Sequence, residues 1–275
     1  MSEQAAVKAY YARHAQREWT RLVRDPFHRL EFETTLRFLA KHLPASGLVL
    51  DAGGGPGRYT IELARRGYEV VLLDYTPECL ELARRRIARA GLKRRVHSIE
   101  EGSIVDLSRF PIGHFDAVIC LGGPLSHVPT EQDRRQAALE LARVAKPGAP
   151  VGISVMGRLA VLAATPRYWP GVLDDDRYFA ECWQTGDDRQ WCGNSFSHFF
   201  WPDEFVTLLR EAGLEILDCV GLEGLSSNCL GEVNRLARHQ PGRWQVWLDA
   251  HAELCTHPSV FASSEHLLIM GRKPG

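Results

Sequence analysis

Through the middle of the chain, short apolar runs alternate with longer segments whose apolar residues recur every three or four positions. The short runs are typical of buried strands, and the three- to four-residue spacing is typical of amphipathic helices. The predicted strands cover residues 48–50, 69–73, 96–99, 115–121 and 151–155. The predicted helices between them cover residues 57–66, 77–90 and 131–145. This alternation predicts a parallel sheet with helices on both faces, which is a doubly wound α/β fold.

Two further helices are predicted before the first strand. Residues 2–23 place apolar and aromatic side chains at helical spacing, and residues 27–43 resume the pattern after a break at Asp25-Pro26. After the fifth strand, residues 158–201 show no regular spacing of apolar positions. Many aromatic side chains occur there among Asp, Gly and Pro. The core is therefore flanked by a helical segment and by an irregular, aromatic-rich one.

The composition is that of an ordinary globular protein. The chain has 275 residues, of which 45% are hydrophobic and 24% charged, enough for one large domain with insertions. With 33 Lys and Arg against 34 Asp and Glu, the net charge of -1 provides no basic field that would attract nucleic acid. The seven cysteines form no C-x-x-C pair and indicate reduced thiols. We expect a cytoplasmic protein, because no signal peptide or membrane-length apolar run is visible.

A glycine-rich turn follows the first strand. Gly53, Gly55 and Gly57 form G-x-G-x-G two residues after Asp51, where glycine permits positive φ and close approach of a ligand to the backbone. The N-terminus of the next helix suits an anionic group. Asp74 ends the second strand 17 residues after Gly57, at a place where an acid can accept hydrogen bonds from ribose hydroxyls. A hydride-transferring oxidoreductase is one alternative, but it would show G-x-G-x-x-G/A.

With Asp51 ahead of the glycines and Asp74-Tyr75 ending strand two, the stretch resembles motifs I and II of the class I S-adenosylmethionine-dependent methyltransferases. The Lys146-Pro147-Gly148 stop before strand five is similar to that family as well. The resemblance runs continuously over residues 47–155. It implies S-adenosylmethionine as cofactor and S-adenosylhomocysteine as product.

The same resemblance implies the overall architecture. The sheet is expected to be Rossmann-like and seven-stranded, mostly parallel, with strand six near residues 214–219 and an antiparallel last strand near 265–271. We expect a single methyltransferase domain over residues 1–275. Its parts are a helical cap (1–44), a cofactor-binding core (45–156) and lid insertions after strands five (157–201) and six (224–260).

Nine cofactor-binding residues are implied by the family motifs. They are Asp51, Gly53, Gly55, Gly57, Asp74, Tyr75, Ser103, Ile104 and Leu121. Ser103 stands where many relatives have Asp, although its hydroxyl can still bond the adenine amine, and Ile104 can contact the adenine ring. The nearby acid Asp106 either contributes there or caps the turn.

His127 is the leading candidate for a general base. It lies in the turn after strand four, which should face the methyl group because ligands bind beyond the carboxyl ends of the strands. An imidazole can take a proton from an attacking group at neutral pH, although His127 could instead cap the helix that begins near Thr130. Tyr11 of the cap is the second catalytic candidate. The turn lacks the Asn/Asp-Pro-Pro-Tyr/Phe motif of enzymes that methylate nucleobase amines.

Four residues are candidates for contacting the methyl acceptor: Tyr10 and Trp19 in the cap, and His198 and Phe200 in the first lid segment. The alternative for each aromatic ring is packing in the core. The spacing of Cys182, Cys192 and His198 matches no known zinc pattern, so we expect no metal.

We therefore predict methyl transfer to a small-molecule acceptor, as a monomer or homodimer, without nucleic-acid or membrane partners. The aromatic lid favours an apolar or ring-containing acceptor, and the methylated atom (O, N, S or C) stays open. A methyltransferase acting on RNA or protein, and a non-catalytic S-adenosylmethionine-binding protein, are the alternatives.

Overall fold

The computed structural model describes residues 2–189 and 195–275. Trp191 and Cys192 of the predicted lid lie outside these residues. The nine strands are β1 (Leu48–Ala52), β2 (Glu69–Asp74), β3 (Val96–Glu101), β4 (Ala117–Cys120), β5 (Pro150–Met156), β6 (Asp187–Asp188), β7 (Ser197–His198), β8 (Glu215–Gly221) and β9 (His266–Arg272) in the described part of the chain. The α-helices described there are α1 (Glu3–Arg21), α2 (Pro26–His42), α3 (Arg58–Arg65), α4 (Pro77–Arg89), α5 (Glu131–Val144), α6 (Arg158–Tyr168), α7 (Asp176–Thr185), α8 (Pro202–Glu211), α9 (Leu230–His239), α10 (Pro241–Leu254) and α11 (Pro258–Ser263).

Seven strands form one sheet in the order β3-β2-β1-β4-β5-β9-β8. The first five pair in parallel, and β9 lies between β5 and β8 and runs antiparallel to both. The predicted doubly wound, seven-stranded sheet with an antiparallel last strand is confirmed. The strand order reverses between β1 and β4, and in such sheets ligands bind at the carboxyl ends of the strands beside this reversal.

Apolar side chains of the central strands are buried on both faces of the sheet, which explains their continuous apolar runs. On one face, Val49 and Leu72 pack with helices α2, α3 and α4. On the other face, Leu50 and Val118 pack with α5 and α8. With helices covering both faces, the loops at the carboxyl edge remain available for a ligand.

The two N-terminal helices occupy different places. Helix α2 covers the sheet through Leu36 and the fully buried Leu39. Helix α1 instead packs on α4, with Ala15 against Cys79 and Leu82. Residues of α1 line the cavity at the carboxyl edge of the sheet, and α2 contributes Glu31, which contacts Arg21 of α1.

The segment 224–260 packs on α2. The Phe27 N–H donates to Asn234 Oδ1 at 3.0 Å, and Thr34 Oγ1 lies 2.9 Å from His251 Nε2. Among the described residues, no helix combines the length and apolar character needed to span a membrane.

Candidate active site

The glycine turn after β1 packs so closely against neighbouring residues that Gly53 and Gly54 have no room for a side chain. A Cβ atom at Gly53, where φ is +74°, would lie 2.6 Å from Pro124 Cγ, and one at Gly54 would lie 2.5 Å from Asp51 Cγ. The N–H groups of Gly53 and Gly54 both donate to the Leu73 carbonyl, at 2.7 and 3.2 Å. The turn is thus bound to the end of β2, and the half-buried backbone of Gly53, Gly54 and Gly55 borders the adjacent cavity.

Asp51 is buried beneath this turn. Its Oδ2 accepts a hydrogen bond from Thr60 Oγ1 at 2.6 Å, whereas Oδ1 has no hydrogen-bond partner among the described residues. Burial raises the pKa of Asp51 to about 6, although the Thr60 hydrogen bond opposes the shift. The site therefore contains a buried acceptor atom that an ordered water or a cationic ligand group can satisfy.

Asp74 lies at the end of β2 and lines the adjacent cavity. Its Oδ2 accepts from the Gly55 N–H and its Oδ1 from the Thr76 N–H, both at 2.8 Å. Burial raises the pKa of Asp74, while these two hydrogen bonds oppose the shift. A carboxylate has about four acceptor positions, so positions remain for ligand hydroxyls.

The cavity beside the turn has a volume of about 380 Å³. Small-molecule sites in proteins commonly measure about 300–1,000 Å³. Gly53 and Gly55 line it together with Tyr75, whose ring lies beneath Lys8 Nζ at 4.8 Å. Ser103, Ile104 and Leu121 complete the set of predicted cofactor residues that border the cavity.

Tyr11 and His127, which lie 116 residues apart in the sequence, form a hydrogen bond at the cavity wall. Tyr11 Oη and His127 Nε2 are 2.6 Å apart, and His127 Nδ1 lies 3.0 Å from the Phe196 carbonyl oxygen. A carbonyl can only accept, so Nδ1 carries the proton and the Nε2 lone pair accepts the Tyr11 hydroxyl. The arrangement selects one tautomer of His127.

Burial keeps both partners of this pair neutral. It lowers the pKa of His127, an effect opposed by the Phe196 carbonyl and reinforced by the positive charge of Arg21. Burial also raises the pKa of Tyr11 well above its ordinary value. At neutral pH the pair is therefore an uncharged phenol bonded to an imidazole with an available lone pair.

Glu18 and Arg21 also line the cavity, although they were not predicted as site residues. Arg21 donates to both carboxylate oxygens of Glu31, with Nη2 3.0 Å from Oε1, and its Nε lies 3.3 Å from Glu18 Oε2. The sequence contained a signal for them, since Glu18 shares the helical face of Tyr11 and Arg21 follows at i+3. The cavity wall thus presents a carboxylate and a guanidinium side by side.

Behind Arg21 lies a buried cluster of charges. His266 Nδ1 is 2.6 Å from Glu223 Oε1 and 3.8 Å from Glu31 Oε2. Burial alone would lower the pKa of His266, but the two glutamates raise it to about 9. Arg21 and the protonated His266 balance Glu31 and Glu223, so these closely grouped carboxylates need no metal ion for charge compensation.

Four predicted residues near the turn and in the cap do not border the cavity. Asp51 lies beneath the turn, and a Cβ at Gly57 would contact the Ala83 Cβ at 3.3 Å, which places Gly57 at a helix contact. Tyr10 packs edge-on against Tyr11. The Trp19 ring is covered by the Arg58 guanidinium at 3.8 Å.

The two predicted lid residues also lie away from the cavity wall. His198 is buried between Asp187 Oδ1 and Glu204 Oε1, each 2.6 Å from a ring nitrogen. The Phe200 ring packs on His198 and on Phe205, with centroid distances of 4.5 and 5.6 Å. Both side chains stabilise the folded lid segment, and neither borders the cavity.

These features fit S-adenosylmethionine. The glycine turn leaves backbone surface for the ligand, and Asp74 retains acceptor positions. Within the described residues, the Tyr59 hydroxyl and Asp51 Oδ1 are buried without hydrogen-bond partners, and Tyr59 lines the cavity. The paired charges of Glu18 and Arg21 match the zwitterionic amino-acid end of that molecule.

Comparison with known proteins agrees with this geometry. Residues 49–148 match the family model described as "Methyltransferase domain". The chain is 30% identical over 200 residues to the ubiquinone biosynthesis O-methyltransferase of Xanthomonas axonopodis pv. citri. The aligned region covers 72% of this chain and 74% of the relative.

Solved structures show the same fold. The chain is similar to a SAM-dependent methyltransferase of Methanosarcina mazei (TM-score 0.56, 21% identity, 86% of this chain and 97% of that one). It is also similar to the 1,6-didemethyltoxoflavin-N1-methyltransferase of Burkholderia thailandensis, solved with S-adenosylhomocysteine (TM-score 0.55, 16% identity, 98% of this chain and 88% of that one). From the sequence relatives and this shared fold, the chain belongs to the class I S-adenosylmethionine-dependent methyltransferase family, and its methyl donor is S-adenosylmethionine.

Proposed function

We propose that this methyltransferase transfers the methyl group to a hydroxyl oxygen of a small, ring-containing acceptor. The observation that carries the proposal is the 2.6 Å hydrogen bond between Tyr11 Oη and His127 Nε2 at the cavity wall. A neutral Tyr–His pair is suited to receive a proton from an acceptor hydroxyl. The name of the Xanthomonas relative, an O-methyltransferase, supports oxygen as the methylated atom.

The cofactor would be held by the residues around the glycine turn. Asp74 would accept hydrogen bonds from the ribose hydroxyls, and Tyr75 would pack beside them. Ser103 and Ile104 would contact the adenine, and Leu121 would border the methionine end. Each of these side chains lines the cavity.

Glu18 and Arg21 would bind the amino-acid end of the cofactor. A guanidinium has five N–H groups, and Arg21 directs one from each Nη atom to Glu31, which leaves donors for a carboxylate. Glu18 would accept from the ammonium group, and a water would satisfy Asp51 Oδ1 beneath the turn. The buried glutamates and His266 keep the Arg21 guanidinium in place.

In methyl transfer the bound cofactor supplies an electrophilic sulfonium methyl group, so the protein must mainly align the acceptor and exclude water. The Tyr11 oxygen would accept the acceptor proton as the Tyr11 hydroxyl proton moves to His127 Nε2. His127 can take this proton because Nδ1 stays protonated against the Phe196 carbonyl. Tyr11 thus ends as a neutral phenol and His127 as an imidazolium.

A small acceptor is favoured over RNA or protein by the site and by the charge. The net charge is -1 and the cavity volume is that of a small-molecule site. The described residues of the segment 158–201 do not line the cavity, whereas the rings of Tyr11 and Tyr59 do, and these rings favour an acceptor with a ring.

The proposal is tested by following transfer of a labelled methyl group from S-adenosylmethionine to catechol, phenol, aniline and thiophenol. We expect label in a hydroxylated probe and about 10²–10⁴-fold slower turnover in His127→Ala, with nearly unchanged S-adenosylmethionine affinity by calorimetry. Tyr11→Phe should slow turnover as well, whereas His97→Gln, at an exposed histidine of β3, should not. Methylation of aniline or thiophenol alone would refute an oxygen acceptor, and full activity of His127→Ala would remove it as the base.

A further inference from the structure

A short ribbon carries the carbonyl that orients His127. Strands β6 and β7 pair antiparallel, with Asp187 opposite His198 and Asp188 opposite Ser197. Phe196 immediately precedes β7, and its carbonyl oxygen lies 3.0 Å from His127 Nδ1. The position of this ribbon therefore decides whether Nδ1 has a hydrogen-bond acceptor.

His198 ties the ribbon to helix α8. Its Nδ1 lies 2.6 Å from Asp187 Oδ1 on β6, and its Nε2 lies 2.6 Å from Glu204 Oε1 on α8. Both ring nitrogens therefore lie within hydrogen-bond distance of a carboxylate oxygen. Burial raises the pKa of Asp187 and of Glu204, but the hydrogen bond and charge of His198 outweigh it, so both pKa values lie below the usual range.

Arg158 provides a second attachment. Its Nε donates to the Phe199 carbonyl at 2.8 Å, its Nη1 to the Gln184 carbonyl at 3.1 Å, and its Nη2 to Glu204 Oε2 at 2.9 Å. Arg158 and His198 thus both contact Glu204, His198 also contacts Asp187, and Arg189 Nη2 lies 3.8 Å from Asp187 Oδ2. The side chains of Arg158 and His198 are 4% and 2% exposed, whereas those of Asp187 and Glu204 are 20% and 35% exposed, so the network is buried on one side and reaches solvent on the other.

We propose that Asp187, His198 and Glu204 form a clasp that positions the Phe196 carbonyl and thereby selects the tautomer of His127. A neutral imidazole places its proton on the nitrogen that has an acceptor. Without the carbonyl, His127 could carry its proton on Nε2, where it would point toward Tyr11 and remove the lone pair that receives the Tyr11 proton. His198 is then a positioning residue, and its effect on catalysis rests on the proposed role of His127.

The test uses the full chain with His198→Gln and Asp187→Asn, and His97→Gln as the matched control. The ring-nitrogen NMR shifts of His127, assigned by their loss in His127→Ala, report the tautomer directly. We expect a protonated Nδ1 and an unprotonated Nε2 in the wild type and in the control. In the clasp variants we expect a mixture of both tautomers. With whichever probe is methylated, turnover should fall about tenfold or more, while the KM for S-adenosylmethionine changes less than about twofold.

Thermal melting first identifies the variants that remain folded. If His198→Gln does not fold, Asp187→Asn is used for the test. This variant retains the His198 imidazole and the hydrogen bond of His198 to Glu204. Wild-type nitrogen shifts of His127 in a folded clasp variant would overturn the proposal. A changed tautomer with unchanged turnover would support the clasp and refute His127 as the base, so the two ideas fail separately.

Discussion

Replacing Asp51 by Asn should stabilise the ligand-free protein, and the gain should grow with pH. The substitution removes the charge but keeps an oxygen that can accept from Thr60. In the native protein the pKa of Asp51 is raised from 3.8 to about 6 by burial, so the folded state binds this proton more tightly than the unfolded state does. The stability associated with Asp51 is therefore fully present below about pH 4 and is lost as the pH rises through about 6.

A shift of about two pKa units corresponds to a total loss of about 3 kcal/mol at alkaline pH. About half of this loss has already occurred at pH 5, because the unfolded carboxyl group is ionised there. The free energy of unfolding of Asp51→Asn relative to the wild type should therefore rise by roughly 1 kcal/mol between pH 5 and pH 8.

Urea denaturation of both proteins at pH 5, 6, 7 and 8 measures this difference, and groups that titrate equally in both cancel. Asp116→Asn is the matched control, because hydrogen bonding by Lys146 outweighs burial there and holds the pKa of Asp116 below its usual value. That variant should lose stability at neutral pH. If the difference in the free energy of unfolding between Asp51→Asn and wild type stays constant from pH 5 to pH 8, Asp51 is not held in an environment that destabilises its charge.

Three further predictions concern the same site. Asp74→Asn should weaken S-adenosylmethionine binding in calorimetry by about ten- to hundredfold, since hydrogen bonds to charged groups contribute about 1.5–3 kcal/mol, whereas the exposed Asp106→Asn should bind normally. Gly54→Ala should lower both the melting temperature and the affinity, because its Cβ would lie 2.5 Å from the buried carboxyl group, while Gly231→Ala, with open space around it, should do neither. Arg21→Gln should weaken cofactor binding and lower stability by about 3–5 kcal/mol in urea denaturation, because its buried glutamate partner loses its cation; normal affinity in this variant would remove Arg21 from the cofactor site.

Local patterns were sufficient for the order of the elements and for the glycine turn. Strand and helix periodicity, and the glycines that permit positive φ between β1 and α3, depend on residues close together in the chain. The place of Asp74 at the cavity follows from the same logic, because the carboxyl ends of neighbouring parallel strands lie at one edge of the sheet. These features were therefore accessible without a structure.

The side chains that border the cavity from α1 were decided by tertiary packing. Tyr10 and Tyr11 are adjacent in sequence, and only the rotation of α1 against α4 directs Tyr11 toward His127 and leaves Tyr10 packed on its neighbours. The same rotation brings Glu18 and Arg21 to the cavity and turns Trp19 to Arg58. A helical pattern identifies an apolar face, but it does not specify which neighbour covers each part of that face.

His198 shows most clearly the difference between what the sequence pattern indicated and what tertiary packing decided. Its position among aromatic residues suggested an acceptor-binding group, whereas the folded chain surrounds it with Asp187 and Glu204. By itself, then, the sequence determined the fold class, the glycine turn and the family, because those depend on local spacing. The partners of each buried polar side chain were decided only by the tertiary structure, because burial obliges such groups to find hydrogen bonds wherever the fold supplies them.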